Sequence, residues 1–178
     1  RNGDRTMSKI EVNEIARRSG SSPIPIPGHV IQVQTARIPD ANGINTTSTS
    51  YVDVGLQVSI TPTSASSKIY IIYSTALYCW GGGSDVNASV SLARNIGGGS
   101  FTTLEAGTDV ASSSSVYIQT SSGTCEIALR YADNFEDSPN TTSACIYKLQ
   151  GAIGAGGNAR IGSLGNTNSS IMAMEIAQ

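Results

Sequence analysis

Three acidic residues close together are the first candidates for chemistry in this chain. Asp133, Glu136 and Asp137 stand just before Pro139. Glycoside hydrolysis requires two carboxylates that flank the bond to be broken, and clustered carboxylates can also bind Ca²⁺. The segment is rich in proline and asparagine and has no aromatic sugar platform beside it. We therefore expect a solvated loop, with hydrolysis and Ca²⁺ binding as the alternatives.

The single histidine limits the catalytic chemistry further. A Ser-His-Asp triad would have to use His29, and the chain has no GxSxG string to supply the serine. One histidine without a CxxC pair also leaves too few ligands for an ordinary zinc site. The glycine triplets at 81–83 and 97–99 lack the spacing of phosphate-binding loops. We therefore expect a protein that is not an enzyme and uses no cofactor and no metal.

The only tryptophan, Trp80, lies where an apolar segment runs into a glycine triplet. An aromatic side chain at the mouth of a loop can stack on a sugar or anchor a protein contact. Packing in a core or between subunits is the more common use of an indole ring. Three segments, 80–85, 97–101 and 133–140, are candidate ligand-contact loops, and the residues singled out in them are Trp80, Asp85, Phe101, Asp133 and Glu136.

Composition excludes several kinds of partner. Charged residues make up 13% of the 178 residues, against roughly 25% in an ordinary soluble domain. The net charge is −2, and no basic stripe is present for nucleic acid. No apolar run reaches the roughly 18 residues that a membrane span needs. Low charge is typical of a polar β-protein, or of a chain that hides surface in an oligomer.

The N-terminus and the cysteines indicate where the protein is made. Residues 1–20 lack the apolar block of a signal peptide. The three cysteines, Cys79, Cys125 and Cys145, show no metal-ligand spacing. We therefore expect assembly in a cytoplasm and buried free thiols. One disulfide with one remaining thiol is the alternative.

Three segments follow one another along the chain. Residues 1–20 are predicted to attach the protein to a partner through the apolar side chains of Ile10, Val12 and Ile15. Residues 21–28 form a spacer, because prolines at every second position forbid a helix and favour an extended path. Residues 29–178 are predicted to form the head domain.

Apolar and polar residues alternate throughout the head domain, and turns rich in Gly, Ser, Asn and Pro separate the alternating segments. The strongest of these segments is 68–77, which is rich in β-branched and aromatic residues. The pattern predicts about nine or ten short strands. The predicted fold class is all-β, an antiparallel β-sandwich that is jelly-roll-like, with a short extended N-terminal anchor segment.

Several strings of the chain are similar to a known family. They are MSKIEVNEI from Met7, TSYVDVGL at 49–56, ITPTSASSKI at 60–69, DSPNTT at 137–142 with YKLQ at 147–150, and IMAMEI at 171–176. Together they resemble small tail-fibre-like virion structural proteins of tailed, marine-type bacteriophages. The resemblance covers most of residues 8–176.

The resemblance implies a virion component whose N-terminal segment binds other virion proteins. It also implies a β-sandwich head that forms a homotrimer and contacts host surface glycan. Residues 21–28 are a short spacer without a long shaft, which favours a short tail fibre or a head-associated fibre. Two alternatives stay open: a capsid decoration protein with no host ligand, and a polysaccharide-degrading spike.

Overall fold

Eleven strands make up the computed structural model, which describes residues 26–38, 43–82, 86–104, 115–118, 124–153, 157–163 and 167–178. No helix occurs within these ranges. The strands are β1 Val30–Ile38, β2 Ile44–Thr46, β3 Val52–Ile60, β4 Lys68–Gly82, β5 Val86–Ile96, β6 Thr102–Thr103, β7 Ser115–Ile118, β8 Thr124–Asp137, β9 Cys145–Ile153, β10 Asn158–Ile161 and β11 Ser169–Ile176.

Two antiparallel sheets pack face to face. In the first sheet, β4 pairs on one side with β8 along its whole length. On its other side, the first half of β4 pairs with β11 and the second half with β10. Strand β1 lies outside β11, and β2 lies outside β10. The second sheet runs β3–β9–β5, with β6 and β7 both paired to β5.

The eight principal strands pair in a nested order that defines a jelly roll. Strand β1 pairs with β11, β3 with β9, β4 with β8, and β5 with β7. A long hairpin wound into a barrel-like sandwich has this order, and it places the two sheets over one core. The predicted all-β, jelly-roll-like sandwich is therefore confirmed.

The core lies between the sheets because each strand buries every second side chain. In β3 the buried residues are Val54, Leu56, Val58 and Ile60, while the residues between them face outward. Strand β4 follows the same rule, and full burial of one such aliphatic side chain contributes about 1.5–3 kcal/mol. The largest fully buried side chains are Tyr73, Tyr147, Leu56, Ile60, Ile69, Ile71, Leu77, Leu92, Leu149, Ile161, Ile171 and Glu175.

The prediction of a loop around the acidic cluster is wrong. Strand β8 continues to Asp137, so both Asp133 and Glu136 are strand residues, opposite Tyr73 and Tyr70 of β4. The physical reason is the length of β4. It offers fifteen residues of backbone donors and acceptors along one edge, and β8 satisfies them even where its own sequence is polar.

The described thiols agree with the expectation of buried free cysteines. Cys79 and Cys145 are both buried thiols that form no disulfide. The side chain of Cys125 lies outside what the structure describes.

Candidate functional site

The outward face of the first sheet carries two distinct surfaces, and Arg130 lies between them. Arg130 stands opposite Ala76, near the middle of β4. Its Nη1 donates to the Ser74 hydroxyl at 2.9 Å, and its Nη2 donates to the Asn168 carbonyl at 2.7 Å. The guanidinium therefore lies across the sheet as a polar boundary.

The first surface, which we name the apolar strip, consists of Val33, Ile72, Met172 and Met174. Met174 lies between Val33 and Tyr70, and Met172 lies between Thr35 and Ile72, in two adjacent rows across β1, β11 and β4. Val33 is 47% exposed and Ile72 is 37% exposed. A shallow depression of about 320 Å³ opens beside Ile72 and Met172. The strip is thus an accessible apolar area on an outer face of the sandwich.

The second surface, the aromatic platform, consists of Tyr78, Trp80, Arg160 and Asn158. Tyr78 and Trp80 are two residues apart on β4 and therefore point to the same face. Their rings stack with centroids 5.0 Å apart and planes 25° from parallel. Arg160 of β10 lies opposite Tyr78, and Asn158 lies opposite Trp80. Two stacked rings are therefore flanked by a guanidinium and an amide.

The two ends of the sandwich are not equivalent. The described chain enters at Ile26, and the Gly28 amide donates to the Ala177 carbonyl at 2.8 Å. Residue Ile176 pairs with Lys68 at the start of β4. Residues 26–28 therefore lie at the Lys68 end of the sandwich, and Trp80 lies near the opposite end of β4.

The sequence-predicted contact residues are split between these ends. Trp80 lies at the end far from the chain entry, whereas Glu136 pairs with Tyr70 near the entry. Phe101 follows the hairpin turn at the Ile96 end of β5, where Ile96 pairs with Cys145. The structure therefore does not bring Trp80, Phe101 and Glu136 into one site.

Phe101 is 38% exposed and has a partner on its own sheet. The Lys148 ammonium nitrogen lies 3.9 Å from the centre of the Phe101 ring. The same nitrogen lies 2.9 Å from Asp53 Oδ2. Phe101 therefore covers a lysine that is already ion-paired, in a cation–π arrangement.

The acidic cluster is divided between the two faces of β8. Glu136 points outward and pairs with Lys68. Asp133 points to the other face, because residues three apart on a strand alternate. Its Oδ2 accepts a hydrogen bond of 2.6 Å from the Tyr131 hydroxyl. Because they lie on opposite faces of the strand, these two carboxylates cannot flank one glycosidic bond.

Asp137 is buried in a network that links the two sheets. Arg94 Nη1 lies 2.6 Å from both carboxylate oxygens of Asp137. The Tyr147 hydroxyl donates to Oδ2 at 2.7 Å. Burial raises the pKa of Tyr147, and its hydrogen bond to Asp137 raises the pKa further. The phenol thus stays protonated as a donor, and the network has a structural role.

Glu175 is a second buried carboxylate, and the sequence analysis missed it. It is completely buried on β11. Its Oε1 accepts from the Thr63 amide at 2.7 Å and from the Thr63 hydroxyl at 2.8 Å, and Oε2 accepts from Gln32 Nε2 at 2.7 Å. Burial alone would raise the pKa of Glu175, but the hydrogen bonds from Gln32 and Thr63 outweigh it and lower the pKa. This carboxylate fastens β1 and the β3–β4 turn to the last strand.

Some predicted residues lie outside the described residues, namely Ile10, Val12 and Ile15 of the attachment segment and Asp85 of the first loop. Within the described ranges, no group of three or more His, Cys, Asp or Glu side chains could hold a metal ion. No helix in that part of the chain is long and apolar enough to cross a membrane.

Comparison with known proteins finds distant structural likeness. No family model and no curated protein matches the chain. The chain is similar to a solved structure titled "Structure of infectious bursal disease virus Gx strain", with a TM-score of 0.31 and 7% sequence identity. The likeness covers 95% of this chain and 43% of that chain, so this chain spans less than half of the matched one. A likeness of this size carries no functional information.

Proposed function

We propose that this chain is a non-enzymatic structural protein of a bacteriophage virion, a short tail fibre or a head-associated fibre. Its N-terminal segment anchors it to the particle, and its jelly-roll head associates with copies of itself and contacts the host surface. The observation that carries this proposal is the apolar strip on an outer face of the sandwich. The similarity of several strings to tail-fibre-like proteins supports the viral setting.

The apolar strip favours a second copy of the chain as its partner. Large apolar side chains gathered on an outer face mark an interaction site more often than single ones do. Charges of both signs border the strip, with Arg37 and Arg130 toward the aromatic platform and Glu136 with Lys68 on the other side. A border that carries both signs can meet charges of opposite sign on neighbouring copies when three such strips come together around a three-fold axis. The low charge content of the whole chain agrees with a buried face.

The arrangement of the carboxylates supports a non-enzymatic role. Glu136 and Asp133 point to opposite faces of β8, and Asp137 is engaged by Arg94 and Tyr147. The pair of facing carboxylates that a polysaccharide-degrading spike would use is therefore not formed by this cluster. The proposal would be contradicted if the protein released reducing sugar from host envelope and if Asp133→Ala or Glu136→Ala abolished that release.

The mass of the full chain in solution tests the association. We expect a trimer of three times 18.4 kDa, or about 55 kDa, by sedimentation velocity at micromolar concentration. Ile72→Asp should give a monomer, because it places a charge in the middle of the apolar strip. Gln57→Asp, an exposed substitution on the outer face of the other sheet, is the matched control and should leave the trimer intact. A monomeric wild-type chain would overturn the proposed association.

Particle assembly tests the anchor. Deletion of residues 1–20 should leave a soluble folded head that no longer enters phage particles. Normal incorporation of the shortened protein would refute the anchor. The isolated head is also tested for binding to host cells. If the full-length protein enters particles but the isolated head binds no host cell, the decoration-protein alternative replaces the fibre.

A further inference from the structure

We propose that the aromatic platform is a saccharide-binding site, in which a sugar ring packs against the stacked pair of Tyr78 and Trp80, and Arg160 and Asn158 hydrogen-bond to its polar groups. The inference deepens the host-contact part of the proposed function. It rests on that function only for the source of the saccharide, a host surface polysaccharide. The binding chemistry itself rests on the geometry of the platform.

The two rings form an apolar area of the kind that sugar rings stack on. Tyr78 and Trp80 are stacked on the outward face of β4 and are each half-buried, so part of each ring stays accessible. A pyranose ring presents C–H groups on one face and hydroxyls around its edge. Aromatic side chains with an apolar body and a polar end suit such an amphipathic ligand.

Polar groups border the rings along β10 and β2. Arg160 faces Tyr78 on one side and Asn45 on the other, and Asn158 faces Trp80. Side chains directly opposite each other on neighbouring strands have Cβ atoms about 4.5–5.5 Å apart. Guanidinium and amide groups therefore stand within reach of hydroxyls around the edge of a stacked sugar.

The Arg160 Nε is buried and makes no hydrogen bond. Buried donors without an acceptor are uncommon in folded proteins. Arg130, another arginine on this face, by contrast donates to Ser74 and Asn168. Because the Nε is out of reach of a surface ligand, a saccharide hydroxyl or carboxylate beside Tyr78 would be bound by the terminal nitrogens of Arg160, whose side chain as a whole is only partly buried.

The position of the platform suits a ligand outside the particle. Residues 26–28 lie at the Lys68 end of the sandwich, and Trp80 lies near the opposite end of β4. A head tethered at one end presents the other end to its surroundings. Phe101, the other exposed aromatic residue considered from the sequence, lies at the tethered end and is occupied by Lys148.

The test uses the full chain on a printed array of bacterial O-antigen and capsular polysaccharides. We expect saturable binding to at least one polysaccharide. Trp80→Ala should weaken that binding by at least about tenfold and Trp80→Phe by only about threefold, because phenylalanine keeps a stacking ring. Arg160→Gln should weaken it by about fivefold or more, because the charge-assisted hydrogen bond is lost. Phe101→Ala is the matched control and should bind like the wild type.

Fluorescence locates the contact independently. Trp80 is the only tryptophan in the chain, so its emission reports on the platform alone. Titration with the strongest array polysaccharide should shift or quench the emission of the wild type with the same midpoint as the array binding. Binding to no polysaccharide, or binding that neither Trp80→Ala nor Arg160→Gln weakens, would overturn the proposal. Absence of saccharide binding by a wild-type chain that forms trimers and enters particles would refute the platform and leave the proposed virion role standing.

Discussion

The Tyr147 hydroxyl lies 2.7 Å from Asp137 Oδ2, although the two residues belong to opposite sheets of the sandwich. Arg94, which lies on the same sheet as Tyr147, also binds the Asp137 carboxylate, with its Nη1 2.6 Å from Oδ1. The network therefore joins the ends of β8, β9 and β5 through buried polar contacts. Its stability depends on all three groups being present.

Removing the carboxylate of this network should destabilise the fold strongly. Asp137→Ala leaves the Arg94 guanidinium and the Tyr147 hydroxyl without their acceptor. Breaking a buried pair in this way typically costs about 3–5 kcal/mol. Urea unfolding followed by circular dichroism should report a loss of that order in the free energy of unfolding.

Two variants calibrate that measurement. Tyr147→Phe removes one hydrogen bond and should cost about 1–2 kcal/mol. Asp53→Asn removes an exposed partner of Lys148 and should cost less than about 1 kcal/mol. If Asp137→Ala costs no more than Asp53→Asn, the network does not stabilise the sandwich.

Glu175 should make the stability of the protein sensitive to acid. Its pKa is lowered in the folded state from the ordinary value of 4.5, so the unfolded chain binds this proton more readily than the folded one. The contribution of Glu175 is therefore complete above pH 4.5 and is lost as the pH falls through the lower, folded pKa. Urea midpoints measured from pH 7 down to pH 2 should show this loss.

Glu175→Gln provides the control for the acid dependence. The amide cannot ionise, so the difference in stability between wild type and variant should shrink as the pH falls below 4.5. A difference that stays constant over the whole range would exclude Glu175 as a source of the pH dependence. Other carboxylates contribute equally to both proteins and cancel in the comparison.

Two cysteines should resist thiol reagents in the folded protein. Cys79 and Cys145 are buried, and burial raises the pKa of the Cys145 thiol although Arg94 opposes the shift. Little reactive thiolate therefore forms near neutral pH. In a Cys125→Ser variant, a disulfide-forming colorimetric reagent should detect no fast-reacting thiol at pH 7.5 until denaturant is added. Rapid reaction of either thiol in the native protein would contradict its burial.

Gly162 should not tolerate a side chain. Its φ is +104°, and a Cβ atom built on it would lie 3.0 Å from Val54 Cγ1 in the core. Gly162→Ala therefore combines backbone strain with overpacking and should cost about 2–4 kcal/mol in the free energy of unfolding.

Gly98 separates the two effects at Gly162. Its φ is +80°, and a Cβ atom there would meet nothing within 4 Å. Gly98→Ala should cost only the backbone strain of about 1–2 kcal/mol. Equal losses for the two variants would show that Val54 moves aside without penalty.

Alternation in the sequence predicted the sandwich because one face of almost every strand is apolar. It failed at the end of β8, where polar residues and Pro139 suggest a loop. The strand continues there because β4 supplies the hydrogen-bonding edge. Strands β2 and β10 were also missed, since three or four residues give too short a pattern.

The candidate sites were harder to predict than the fold. Trp80 was recognised from its residue type, but its neighbours on β10 are brought to it by long-range pairing that no local pattern contains. A signal for Glu175 was present in the sequence. Ile171, Ala173 and Glu175 are every second residue of β11 and share one face of the strand, so the carboxylate points inward with the two apolar side chains.

The hydrogen-bonded pairing of β1 with β11 has a consequence for how the protein is made. The backbone of Val30 finds its partner in Ile176, so β1 must wait for this partner until residues up to Ile176 have left the ribosome. Up to that moment its exposed edge is open to neighbouring nascent chains. Slow translation or crowded polysomes should therefore favour aggregation of incomplete chains, and refolding of the finished chain should be slow for its size.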